Sequence, residues 1–260
     1  MSVPSVATSP FTILLLDGFA VWCAGRAVAV PPSGQRLVAY LALRIGACRS
    51  AVATALWPEA SEEKSQASLR TAVWRVNRAA PGLVVTRGLH VALAPDTAVD
   101  SREFAARVRR MLRPTADGQA PPADPVDEDD YAWLLTAGGL LPGWYDAWVV
   151  LEQEHTRQLR LHALEAAARR MAEQGRHAGA LELAFEAVRL EPLRESASRV
   201  VIAVHLSEGN TVDAVRHYEW FRRLLDAELG LRPSASMTAL ARGQRVNPRD
   251  AAGDRPVTPW

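Results

Sequence analysis

The sequence predicts an α+β N-terminal region followed by an all-α region, and three observations carry that reading. Apolar residues form short extended runs from Phe11 to Val30, then recur at helical spacing. Two extended runs return on either side of Arg87, and helical spacing governs most of the chain beyond Asp96. At 260 residues the chain is long enough for two compact domains, at the usual one per roughly 100–200 residues.

The first elements are "FTILLLDGF", "AVWCAG" and "RAVAVPP", punctuated by Asp17-Gly18, Gly25 and Pro31-Pro32, which read as a small antiparallel sheet. Ser33 then offers an N-cap to "GQRLVAYLALRIG", where Leu37, Val38, Leu41 and Ile45 share a helical face and Gly46 ends it. A second helix is expected from Ser50 through "AVATALW" to the stop at Pro58. A third is expected from about Ser65 to Ala80, with Leu69, Val73, Val76 and Ala80 on one face and Pro81-Gly82 closing it. "LVVTRGLHVALAP" reads as a hairpin. Sheet, three helices and hairpin is the order of elements in a winged helix-turn-helix domain, here residues 11–96. In that arrangement the third helix enters the DNA major groove and the hairpin, or wing, reaches the adjacent backbone or minor groove.

Charge agrees with this placement. Residues 1–96 hold nine basic and five acidic residues, and from Lys64 to Arg87 every charge is positive, although the whole chain is only +1. Seating the third helix through Leu69, Val73 and Val76 leaves Gln66, Arg70, Thr71, Trp74, Arg75 and Arg78 facing out. Arginine's planar fork can read O6 and N7 of guanine or hold a phosphate. Arg70 and Arg75 are expected at bases and Arg78 at phosphate; Thr71 suits a thymine methyl and Gln66 an adenine edge. Trp74 either packs on a neighbouring protomer or element or lies along a sugar-phosphate strand. Arg49 and Lys64, near helix N-termini, are candidate backbone contacts, and Arg87 and His90 are the candidates on the wing.

Residues 97–242 read as helices: "DSREFAARVRRML", "EDDYAWLLTAG", a long one from about Val149 to Gln174 after the turn "LLPGWYDAW", and a pair of similar segments. Gly175 and Gly209 are 34 residues apart, as are Ala180 and Ala214, which is the tetratricopeptide period. The second copy has Phe221 and Asp226 where the first has Ala187 and Pro192. Low apolar content and abundant Pro, Asp and Gly predict disorder at 1–10 and 243–260 and a flexible loop at 113–130.

Other chemistries find little support. The single lysine, Lys64, follows "SEE" with no glycine-rich loop, so no Walker phosphate site is present and a Schiff-base lysine is hard to place. Cys23 and Cys48 make no disulfide framework or zinc motif, and the six histidines have no metal spacing. No nucleophile-elbow motif occurs, so no catalytic residue, cofactor or metal is expected. "MSVPSVATSP" has no secretory pattern and no apolar run nears the roughly 20 residues of a membrane span, which predicts a cytoplasmic protein with no membrane partner; binding DNA would place it on the bacterial nucleoid.

From about Phe11 to Ala241 the chain resembles the Streptomyces antibiotic regulatory protein (SARP) family. The matching stretches are "LLPGWYDAWVVLEQEHTRQLRLHALE", "EPLRESASRVVIAVHLSEG", "AVRHYEWFRRLLDAELGLRPS", "ALWP" and "VDSREF". The resemblance implies an OmpR-type winged helix followed by a bacterial transcriptional activation domain. It further implies binding to direct repeats in double-stranded promoter DNA, usually as two protomers side by side, and recruitment of RNA polymerase holoenzyme to switch on secondary-metabolite genes such as those of antibiotic biosynthesis. The family's wing commonly carries Gly-x-Gly-Tyr; "RGLHVAL" is shorter and lacks the tyrosine. The alternative is a tetratricopeptide-like interaction scaffold without specific DNA readout.

Overall fold

The computed structural model describes residues 10–44, 46–112 and 128–243. The segments expected to be loose fall outside those residues, apart from Pro10, the helical Glu128–Asp130 and Gly243. The described residues fall into two compact units, one within 10–109 and 137–158, the other within 110–136 and 159–243. The α+β winged-helix order followed by tetratricopeptide-like helices is observed.

In the first unit, β1 (Phe11–Leu14), β2 (Ala20–Cys23) and β3 (Arg26–Ala27) form the expected antiparallel meander. The sheet has a fourth strand that local patterning does not reveal. After α1 (Pro32–Leu43), β4 (Ala47–Cys48), α2 (Arg49–Leu56), α3 (Glu62–Ala79), β5 (Val84–Arg87) and β6 (His90–Leu93), the chain returns as β7 (Ala98–Val99), parallel to β1. A second sheet, in the order β4-β6-β5, carries the wing.

Helix starts differ from the expected ones for identifiable reasons. α1 begins at Pro32, whose fixed φ suits the first helical position, so Ser33 lies inside the helix rather than capping it. α2 begins as the chain leaves β4, with the Arg49 N–H donating to the Leu89 carbonyl at 2.8 Å. Ser50 does not cap it; its hydroxyl lies 3.2 Å from Cys48 Sγ. α3 starts three residues earlier than expected, because Ser61 accepts from the Lys64 N–H and Glu62 and Glu63 favour the positive end of the helix dipole.

The first core gathers Ile13 and Leu15 with Leu37, Val38 and Leu41 of α1, Val52 and Leu56 of α2, and Leu69, Ala72 and Val76 of α3. Ala72, not Val73, completes the buried face of α3, and Val73 is only half-buried. Gly34 lets α1 approach closely, since a Cβ there would stand 2.8 Å from methyl groups of both Val30 and Val76. Trp57, Trp144 and Trp148 pack against this core as expected of core aromatics.

Residues far downstream complete this unit. In α4 (Asp100–Met111), the Asp100 carboxylate accepts from the backbone N–H groups of Leu15 at 2.8 Å and Leu16 at 3.0 Å. The Arg102 guanidinium donates to the carbonyls of Ala42 at 2.7 Å and Leu41 at 2.9 Å, satisfying the open C-terminal end of α1. The matched "VDSREF" stretch is therefore a fastener. Leu140 and Leu141 are buried in the same core, and the Leu141 N–H donates to Leu15 at 2.7 Å. Arg36 pairs with Asp146 and Arg44 with Glu152.

The second unit contains α5 (Glu128–Thr136), the latter part of α6 (Ala147–Glu173), α7 (His177–Leu190), α8 (Glu195–Ser207), α9 (Thr211–Leu229) and α10 (Ala235–Ala241). Gly175 (φ 75°) and Gly209 (φ 81°) both adopt the left-handed conformation that a residue with a side chain resists, at the turns preceding α7 and α9. Ala180 and Ala214, fully buried, stand at the matching close contacts of α7 and α9. The 34-residue period is thus structural. α7 stops at Leu190, two residues before Pro192; α9, with Asp226 at the corresponding place, continues to Leu229 and ends at Gly230.

Buried ion pairs tie these helices together. Arg160 pairs with Glu186 at 2.9 Å and donates to the Leu134 carbonyl at 3.2 Å. Glu165, only 4% exposed, accepts from Arg194 at 2.6 Å and Ser196 at 2.7 Å. Burial alone would raise its pKa, but the hydrogen bonds from Ser196 and Arg194 outweigh it and hold the carboxyl below its ordinary value. The stability this adds is complete above the ordinary carboxyl range near pH 4.3 and is lost as pH falls through the lower folded value. Glu165→Gln is expected to cost about 1–3 kcal/mol at pH 7 and progressively less below pH 4, read from thermal melts across pH.

Candidate nucleic-acid interface

The exposed side of α3 is set by its seating. With Ser65, Leu69, Ala72 and Val76 buried, Lys64, Arg70, Thr71, Trp74, Arg75 and Arg78 are exposed, while Gln66 is half-buried and less outward than expected. Arg70 has no hydrogen-bond or ion-pair partner among the described residues. Arg75 makes one long contact, Nη1 to Ser33 Oγ at 3.4 Å, which leaves most of its donors open. No carboxylate among the described residues neutralises either one.

Trp74 is 59% exposed. The Arg78 guanidinium lies over its ring, 5.2 Å from the centroid, one helical turn along. Thr71 Oγ1 donates to the Ala67 carbonyl at 3.0 Å, which occupies the hydroxyl proton with the helix itself and suits the residue to an apolar methyl contact.

The wing is joined to the C-terminal end of α3 at Val84. Arg87 and His90 are paired residues at the end of the β5-β6 hairpin, and His90 also pairs with Cys48 on β4. Both are exposed, and Leu89 at the tip is 72% exposed. Arg49 is half-buried at the start of α2. The first turn of α3 combines Lys64 with the exposed carboxylates Glu62 and Glu63, so its helix N-terminus is a poorer phosphate cradle than Lys64 alone suggests.

Asn77 has a role that side-chain spacing does not reveal. Its Nδ2 donates to the Val84 carbonyl at 2.8 Å and its Oδ1 accepts from the Val84 N–H at 3.0 Å, mimicking a strand neighbour. This clamp fixes the wing's first strand to the end of α3. Asn77→Ala leaves both groups of buried Val84 unpaired and is expected to lower stability by about 1–3 kcal/mol in denaturant melts. Among the described residues no cluster of three or more His, Cys, Asp or Glu side chains can hold a metal, and no helix is long and apolar enough to cross a membrane.

Winged helix, cationic outer face and 34-residue helical repeat define a class: a winged-helix transcription regulator with a tetratricopeptide-like second unit. The family model described as "Bacterial transcriptional activator domain" matches residues 99–243, and the chain belongs to that family as a transcriptional activator of the SARP type. A solved structure of Mycobacterium tuberculosis EmbR, in complex with a low affinity phosphopeptide, has a similar fold. Its TM-score is 0.75 at 20% identity, over 94% of this chain and 68% of that one. No curated protein matches the sequence. The family's span does not coincide with either compact unit, since residues 99–109 and 137–158 within it fold with the winged helix.

Proposed function

We propose that this activator recognises promoter DNA by inserting α3 into the major groove, with the hairpin beside it on the backbone. The observation that supports this most directly is the set of Arg70, Arg75 and Arg78, exposed on a helix seated from behind by aliphatic side chains and unopposed by carboxylates. Arg70 and Arg75 read bases, Arg78 holds phosphate with its aliphatic stem and fork aligned on Trp74, and Thr71 offers its methyl to thymine. Gln66 reads an adenine edge. Arg49, Lys64, Arg87 and His90 contact the backbone.

On this reading two protomers bind side by side on direct repeats, and the helical unit contacts RNA polymerase to activate a secondary-metabolite gene cluster in the cytoplasm. The exposed Trp74 gives each protomer an aromatic contact for either the sugar-phosphate strand or its neighbour. Binding to upstream promoter DNA, measured as salt is raised, is expected to show a log–log slope of about −0.9 per neutralised phosphate. A flat response would overturn the reading in favour of a protein-interaction scaffold.

A further inference from the structure

The second unit holds an aromatic cluster drawn from three helices. His205 of α8 lies edge-on to Phe185 of α7 with ring centroids 6.5 Å apart, and His217 of α9 meets the same ring at 5.9 Å. Trp220 tilts against His217 at 5.1 Å. His205 is only 9% exposed. Its Nδ1 and the Nε2 of His217 are both buried without a hydrogen-bond partner.

Neutral imidazole can leave one such nitrogen unengaged at modest cost. Protonated imidazole has two N–H donors and a charge, and burial without acceptors disfavours it strongly. From α8 the group facing His217 is His205; from α7 it is the ring of Phe185, with the charged Glu182, Glu186 and Arg189 around the depression on which that ring borders. On α9, Asp213 one turn earlier is engaged by Asn210 at 2.6 Å and Arg216 at 3.1 Å, and Trp220 lies on the other side. Burial first, and then the charge of His205, push the His217 pKa down to about 4.

We propose that His217, packed with His205 around Phe185, is an acid-sensitive latch, whose neutral ring holds α9 against α7 and α8 and whose protonation releases that packing. Release would expose more of Phe185, which is already 45% exposed and lines a depression with Leu135, Leu181, Glu182, Glu186 and Arg189. A folded value below the ordinary 6.5 means that His217 favours the packed state fully above pH 6.5, and that this contribution fades as pH falls toward 4. The latch lies within the helical unit and does not depend on DNA recognition.

The test uses the full chain, with Tm and binding of an apolar-surface dye followed from pH 7.5 to 4.5 in wild type and His217→Gln. Wild type is expected to lose Tm and gain dye binding on acidification, and His217→Gln to lose most of that pH dependence. Equal acid sensitivity in wild type and His217→Gln would overturn the latch. Should the variant fail to fold, the ring resonances of His217 in wild type decide. Proton binding roughly 300-fold weaker than that of an exposed histidine supports the proposal, and titration at the ordinary value ends it.

Discussion

A fragment ending at Asp96 is expected to have no cooperative thermal transition, although it contains every helix and hairpin strand of the winged helix. The cut removes β7, and with it the parallel partner of β1. It also removes the Asp100 carboxylate from the Leu15 and Leu16 N–H groups and the Arg102 guanidinium from the end of α1. Val99, Leu140, Leu141 and Val149 leave the same core. Burying four such side chains contributes on the order of 6–12 kcal/mol as an upper estimate. That rivals the entire net stability of an ordinary domain, about 5–15 kcal/mol. Calorimetry and amide-resonance dispersion of the fragment check this. A fragment that melts cooperatively within a few degrees of the full chain would show that residues 11–96 suffice.

Replacing Arg70, Arg75 and Arg78 together with alanine is expected to reduce promoter DNA affinity to the non-specific level, roughly a thousandfold or more. Single substitutions should cost about 1–3 kcal/mol where a base contact is lost, with specificity relaxed at one position, and weaken all sequences alike where the contact is phosphate. Tm should barely move, because the three guanidinium groups are exposed and form no ion pair among the described residues. Fluorescence anisotropy on labelled promoter fragments, paired with melts of the same samples, measures both quantities. Wild-type affinity in the triple variant would remove α3 from the interface, and a large fall in Tm would make any lost binding a folding defect.

The arginine face is legible in the sequence, whereas the dependence of residues 11–96 on later segments is not. Arg70, Arg75 and Arg78 lie on one short amphipathic segment, so the spacing of Leu69 and Val76 is enough to turn them outward. The division of α3 between Val73 and Ala72 is not settled by spacing, since both lie near the edge of the apolar stripe. The fold buries Ala72 and leaves Val73 half-buried. Asn77 offers no local signal, because its role exists only once the β5 backbone arrives beside it. Trp74 has two open readings in the sequence, packing or a sugar-phosphate contact, and the fold leaves it 59% exposed.

By itself the sequence determined the order and periods of the elements, the cationic outer face of α3 and the 34-residue repeat. These are short-range properties, set by side-chain spacing of two or 3.6 residues and by where glycine and proline interrupt it. Only the tertiary structure decided that residues 97–109 and 137–158 complete the first unit, and that Asp100 reaches Leu15 across 85 positions of chain. Backbone groups left open at a strand end or helix end must find partners, and they accept whichever segment the folded chain brings near. A linear pattern records the need for such a partner but not which segment will supply it.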